Sequence, residues 1–144
     1  MHIGADPAAV YALITHLPTL AELAEETKAM KWYRGDSARP GAMFKGENRN
    51  RTKSWTTTCT VTEAVPGRAF AFDVRSGLIR VAHWRYEISA TDNGCRVHEM
   101  VWDQRPGWFR VIAGKATGVE DRDAQNAKNI AATLARLKQH AEKR

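Results

Sequence analysis

The sequence predicts an α+β fold: a curved antiparallel β-sheet of about six or seven strands wrapped around a long C-terminal α-helix, with two short helices near the N-terminus. Three observations carry that expectation. Residues 54 to 103 alternate in polarity through segments such as SWTTTCTVTEAVPGRAFAFDV and HWRYEISATDNGCRVHEMVWD, and period-two alternation marks half-buried strands. Pro66-Gly67 and Asn93-Gly94 interrupt that alternation where hairpins should turn. The tail, EDRDAQNAKNIAATLARLKQHAEKR, instead repeats its apolar residues at helical spacing.

At the N-terminus, Asp6 can cap free N–H groups and Pro7 is preorganised for a first helical turn. Val10, Leu13, Ile14 and Leu17 follow at helical spacing, and Pro18 restarts a second helix through Leu20 and Leu23. Only five residues precede Asp6, so either the start is truncated or the opening strand is short. RGDSARPGA, residues 34 to 42, reads as a loop between strands, and its RGD tripeptide as part of a turn rather than an adhesion signal.

Strand parity assigns faces, because successive side chains point to opposite sides of a sheet. With Asn93-Gly94 as the turn, Asp92 pairs with Cys95, Ile88 faces Glu99, Tyr86 faces Val101 and Trp84 faces Asp103. The inner face then holds Trp84, Tyr86, Ile88, Val97, Glu99 and Val101. His83, Arg85, Glu87, Arg96, His98, Met100 and Trp102 lie outside, with Trp102 opposite Arg85 as an exposed cation–π pair. A two- or four-residue connection at Pro66-Gly67 sets Val61 against Phe72 and Cys59 against Val74, with Glu63 near Phe70. Trp55, Thr57, Cys59, Val61, Phe70, Phe72 and Val74 are thereby inner, and Ser54, Thr56, Thr58, Thr60 and Thr62 outer. On the last helix Asn126, Ile130, Thr133, Leu134, Leu137 and Ala141 form one stripe. That stripe is small and polar at its start and firmly apolar later, which suits a cavity beside the helix's first half.

At 144 residues, 43% hydrophobic and 26% charged, the chain suits one domain, 1–144, with a sizeable core. No apolar run approaches the roughly 18 residues of a membrane span. The first residues lack the pattern of a secretory leader, so the expected location is cytoplasmic. Cys59 and Cys95 read as buried reduced thiols, and the five scattered histidines show no metal-binding spacing. No metal or cofactor is expected. The net charge of +6 and the basic run at Arg49, Arg51 and Lys53 allow a regulatory protein that binds nucleic acid or an acidic partner. A solvated rim explains such a surplus more often, and no nucleic-acid motif accompanies it.

The order of these elements, together with W-x-x-x-C-x-V-x-E-A-x-P-G-x-x-F-x-F (Trp55 to Phe72), the W-x-Y strand (Trp84, Tyr86) and T-L-x-x-L-K (Thr133 to Lys138), resembles the START-like helix-grip superfamily. The resemblance is to its polyketide cyclase/dehydrase-type branch of small bacterial proteins. It spans nearly the whole chain. It implies a seven-stranded sheet gripping the last helix, with a hydrophobic tunnel between them. It does not imply one reaction, because such proteins include aromatase/cyclases, lipid carriers and quinone-binding proteins.

The inner polar residues are the candidates for chemistry. Glu99, between Val97 and Val101, is a carboxylate on an apolar face; it either transfers protons or pairs with an Arg or Asn. Tyr86 either orients a ligand carbonyl or packs with its hydroxyl satisfied locally. Asn126 faces the sheet from the helix, as a ligand donor or a structural one. Asn48 and Thr57 are weaker candidates. Trp32, Phe44, Trp55, Phe70, Phe72, Trp84 and Ile130 form the expected apolar wall, and Phe109, in Pro106-Gly107-Trp108-Phe109, a mouth. The expected function is binding of a lipid, polyketide or quinone, with cyclase/dehydrase chemistry or non-catalytic lipid carriage as its two forms.

Overall fold

The computed structural model describes residues 1–24, 26–50, 52–106 and 122–143, excluding the side chains of Asn50, Arg122 and Asp123. Expectations placed on Arg51 and on residues 107–121, Phe109 among them, lie outside the described residues. The strands are β1 (His2–Ile3), β2 (Thr27–Arg34), β3 (Met43–Asn50), β4 (Lys53–Val65), β5 (Ala69–Ser76), β6 (Ile79–Thr91) and β7 (Gly94–Asp103). They form one antiparallel sheet in the order β1-β7-β6-β5-β4-β3-β2. Helices α1 (Pro7–Thr15) and α2 (Leu17–Leu23) follow β1, and α3 (Arg122–Glu142) closes the chain.

The first helices begin where the prolines permit. Asp6 occupies the N-cap of α1, but its side chain makes no capping hydrogen bond; its carbonyl accepts from the Val10 N–H at 3.1 Å instead. Val10, Ile14, Leu17, Leu20 and Leu23 are buried, as their spacing predicts. The opening strand is two residues long and hydrogen-bonds to β7, so the sheet edge is occupied.

Two details of register differ from expectation. The β6–β7 turn is Asp92-Asn93, not Asn93-Gly94: Thr91 pairs with Gly94, Tyr86 with Glu99, Trp84 with Val101 and Ala82 with Asp103. Gly94 opens β7 with β1 passing over it; a Cβ there would collide with the Ile3 carbonyl oxygen. The slip is two residues, so every side chain keeps its face. The β4–β5 connection has three residues, with Val65 paired to Ala69. An odd loop would reverse the facing of one strand, but a bulge between Val61 and Glu63 restores it. Val61–Phe72 and Cys59–Val74 form as expected, whereas Glu63 meets Ala71 rather than Phe70.

The outer face also corrects one expectation. Trp102 lies opposite His83, ring centroids 5.3 Å apart, and not opposite Arg85. Arg85 instead donates to Glu63 at 2.9 Å and pairs with Glu87.

The concave side has two regions. At one end Ile3, Val10, Ile14, Phe70, Ile88, Cys95, Val97 and Leu137 form the packed core. At the other, near the β5–β6 turn and the start of α3, the packing opens. Polar ties set the pose of α3: Arg136 donates to the Leu23 carbonyl at 3.0 Å, capping the end of α2, and Asn129 donates to Glu26 at 2.7 Å. Glu142 accepts from Lys138 at 2.6 Å and from the Gly4 N–H at 2.7 Å.

Candidate functional site

A cavity of about 350 Å³ lies between the sheet and the first half of α3. Strand alternation builds its walls. Trp55, Thr57 and Cys59 come from β4, Phe72, Val74 and Ser76 from β5, Trp84 and Tyr86 from β6, and Glu99 from β7. From α3 come Asn126, Asn129 and Thr133, spaced three and four residues apart and so on one helical face. The remaining lining includes Met30, Asn48, Glu26, Asp103 and Arg105.

Of the residues expected at a site, Glu99, Tyr86, Asn126, Asn48, Trp55, Thr57, Phe72 and Trp84 line this cavity. Trp32, Phe44, Phe70 and Ile130 do not. Trp32, Phe44, Phe72 and Phe70 instead form a chain of ring contacts, with centroids 5.6, 5.2 and 5.4 Å apart in turn. Phe44 and Phe70 are wholly buried in it. Ile130 packs against the core beside Leu134 and Leu137. The inner face is therefore aromatic throughout, but only its open end lines the cavity.

Glu99 sits deepest in conflict with its surroundings. It is 7% exposed, and its Oε1 has no hydrogen-bond partner among the described residues. Burial pushes its carboxyl up to about 8, against an opposing hydrogen-bond influence from Tyr86, its cross-strand partner. The group is thus a neutral acid at pH 7, with an O–H to donate. Tyr86 is held well above its ordinary range, first by burial and then by the nearby Glu99 charge, so it too stays protonated. Cys59 is pushed up to about 12 by burial, which leaves an inert thiol in the wall.

Other polar groups are arranged in chains. Thr27 donates to Asn48 at 3.2 Å, and Asn48 donates to Thr57 at 3.1 Å and to the Gly46 carbonyl at 3.3 Å. Gln125 donates to Asn129 at 2.9 Å, and Asn129 in turn to Glu26. Arg105, 8% exposed, grips Asp103 through Nε at 3.0 Å and Nη2 at 2.8 Å, a two-pronged pair at the cavity's edge. Asn126 is buried against the cavity with no side-chain hydrogen bond among the described residues. The Glu99 carboxyl and the Asn126 amide can therefore serve a ligand without breaking an existing bond.

Sequence reasoning missed Asn129, Glu26 and the Asp103–Arg105 pair. Asn129 was legible, three residues after Asn126 on the same helical face. Asp103 ends β7 on the same parity as Glu99, so alternation could mark it, whereas Arg105 lies beyond the strand, where neither alternation nor helical spacing reaches. Among the described residues no cluster of His, Cys, Asp and Glu could hold a metal ion, and no helix is long and apolar enough to cross a membrane.

Known proteins share this architecture. A Chromobacterium violaceum protein superposes with a TM-score of 0.75 at 18% identity, covering 100% of this chain and 95% of its own. The di-domain ARO/CYC StfQ from the steffimycin biosynthetic pathway matches at 0.75 and 14% identity, over 99% of this chain and 48% of its own. The Polyketide_cyc-like protein from Corynebacterium glutamicum matches at 0.58 and 24% identity, over 99% and 88%. These similarities show the helix-grip fold. No curated protein matches in sequence. Residues 1–142 match the family described as "Polyketide cyclase / dehydrase and lipid transport", and the chain belongs to that family.

Proposed function

We propose that the cavity binds a hydrophobic, carbonyl-bearing small molecule of polyketide or quinone type, and that Glu99 is its proton donor. The observation that carries this reading is the buried Glu99 Oε1 without a partner, on a neutral carboxyl facing an apolar cavity. A carboxylic acid held neutral donates a hydrogen bond to a carbonyl and its proton to an oxygen that leaves as water, the step a cyclisation–dehydration needs. Trp55, Phe72 and Trp84 offer flat apolar surface to rings, and the Asn126 amide is free to polarise a second oxygen. Family membership and the ARO/CYC likeness support the same substrate class.

Titration with a quinone that has no ionisable group, read by quenching of Trp55 and Trp84, tests the binding. Affinity should be flat below pH 8 and fall above it, as Glu99 loses the proton it donates. Glu99→Gln should bind without that pH dependence. Offered a poly-β-ketone thioester, the wild type should form cyclised product, and Glu99→Gln should be slower by roughly 100-fold or more. Quinone binding without conversion by the wild type would make the protein a carrier. Binding indifferent to both pH and Glu99 would remove Glu99 from the site.

A further inference from the structure

We infer that the β5–β6 hairpin tip is a docking surface for anionic lipid bilayers, independent of which ligand the cavity holds. Ser76 pairs with Ile79 across a two-residue turn, Gly77-Leu78, and Gly77 takes the positive φ of 61° that such turns require. The apex position usually falls to a polar residue. Here it is Leu78, 96% exposed, whereas the next most exposed large apolar side chain among the described residues, Tyr33, is 59% exposed.

One rung behind that apex, Arg75 and Arg80 are direct cross-strand partners. Like charges placed so are unfavourable in the isolated fold, and neither has an ion pair among the described residues. Thr58 and Lys45 continue the same row across the outer face. Lys53, exposed at the start of β4, adds a cation at this end of the sheet. An acidic protein or a nucleic acid would account for the cations, but neither needs a bare leucine at the apex. A bilayer accounts for both: its acyl boundary takes the leucine, and its anionic headgroups lie at the depth of the guanidinium groups. Ser76 and Val81, which flank the tip, also line the cavity. Docking through this hairpin therefore presents the open end of the cavity to the membrane.

Cosedimentation of the full-length chain with phosphatidylcholine vesicles, with and without one quarter phosphatidylserine, tests the inference. Binding should need the anionic lipid. Leu78→Ser should weaken it roughly fivefold, and the Arg75→Gln/Arg80→Gln double variant roughly tenfold or more. Arg96→Gln, an exposed cation at the other end of the sheet, should change it by less than roughly twofold. Thermal melts matching the wild type would confirm that each variant is folded. Three results would overturn the inference: no binding to anionic vesicles, binding indifferent to Leu78, or losses as large for Arg96→Gln as for the hairpin arginines. Retention of an acidic protein or an oligonucleotide through Arg75 and Arg80, without vesicle binding, would assign the surface to that partner instead.

Discussion

Glu99 shows how one residue's environment sets a property of the whole protein. Its carboxyl is raised to about 8 in the fold but returns to about 4.5 when the chain unfolds. Between those values the native state holds a proton that the unfolded state has released. Unfolding therefore liberates a proton, and stability must fall as pH rises through that window. At about 1.4 kcal/mol per pH unit, the loss approaches several kcal/mol. Glu99→Gln keeps the shape and cannot ionise, so its urea-unfolding free energy should stay level from pH 5 to 8 while the wild type declines. Equal slopes for the two proteins would mean that Glu99 is already charged in the fold.

Among the elements, β1 has the least of its own to hold it. It is two residues long, and its place depends on Gly94, which has no Cβ to strike the Ile3 carbonyl oxygen. The Val97 N–H donates to the Met1 carbonyl at 2.8 Å, and Ile3 is fully buried beneath α3. Gly94→Ala should expel this strand. The expected cost is about 3 kcal/mol from the unburied isoleucine and the broken ladder, with fast hydrogen exchange at the Val97 amide and little change at the distant cavity. Slow exchange at Val97 in that variant would show that the strand tolerates the added methyl.

Gly94 also explains how far the sequence could be read. Parity was legible, because an alternating strand names its faces whatever its register. The slip of two residues between Asn93-Gly94 and Asp92-Asn93 left Glu99 inside, but it concealed that Tyr86 is the neighbour of Glu99. In that register Gly94 lies against Ile3 of β1, a contact from the far end of the chain. Local spacing carries no record of such a contact. The same limit hid the separation of cavity from core: Phe44 and Trp55 share a face, yet only Trp55 reaches the open end.

On the scale of the molecule, the cavity is unfilled core. Leu134 and Leu137 close one end of the space beneath the sheet, whereas Asn126, Asn129 and Thr133 leave the other open. A sequence selected for stability alone would carry leucine at position 126, because burying an amide without a partner costs free energy that an apolar side chain recovers. Asn126→Leu should accordingly raise unfolding free energy by about 1 kcal/mol and occupy part of the 350 Å³. It should also weaken ligand binding, since volume and an amide are both lost from the site. Thermal melts then separate the two effects. Without ligand the variant should melt above the wild type. With a quinone at 100 times its wild-type Kd, the wild type should gain about 2.7 kcal/mol and the variant little, reversing their order. A variant that melts lower without ligand would identify Asn126 as part of the scaffold, and the open end of the grip would then owe its shape to folding rather than to binding.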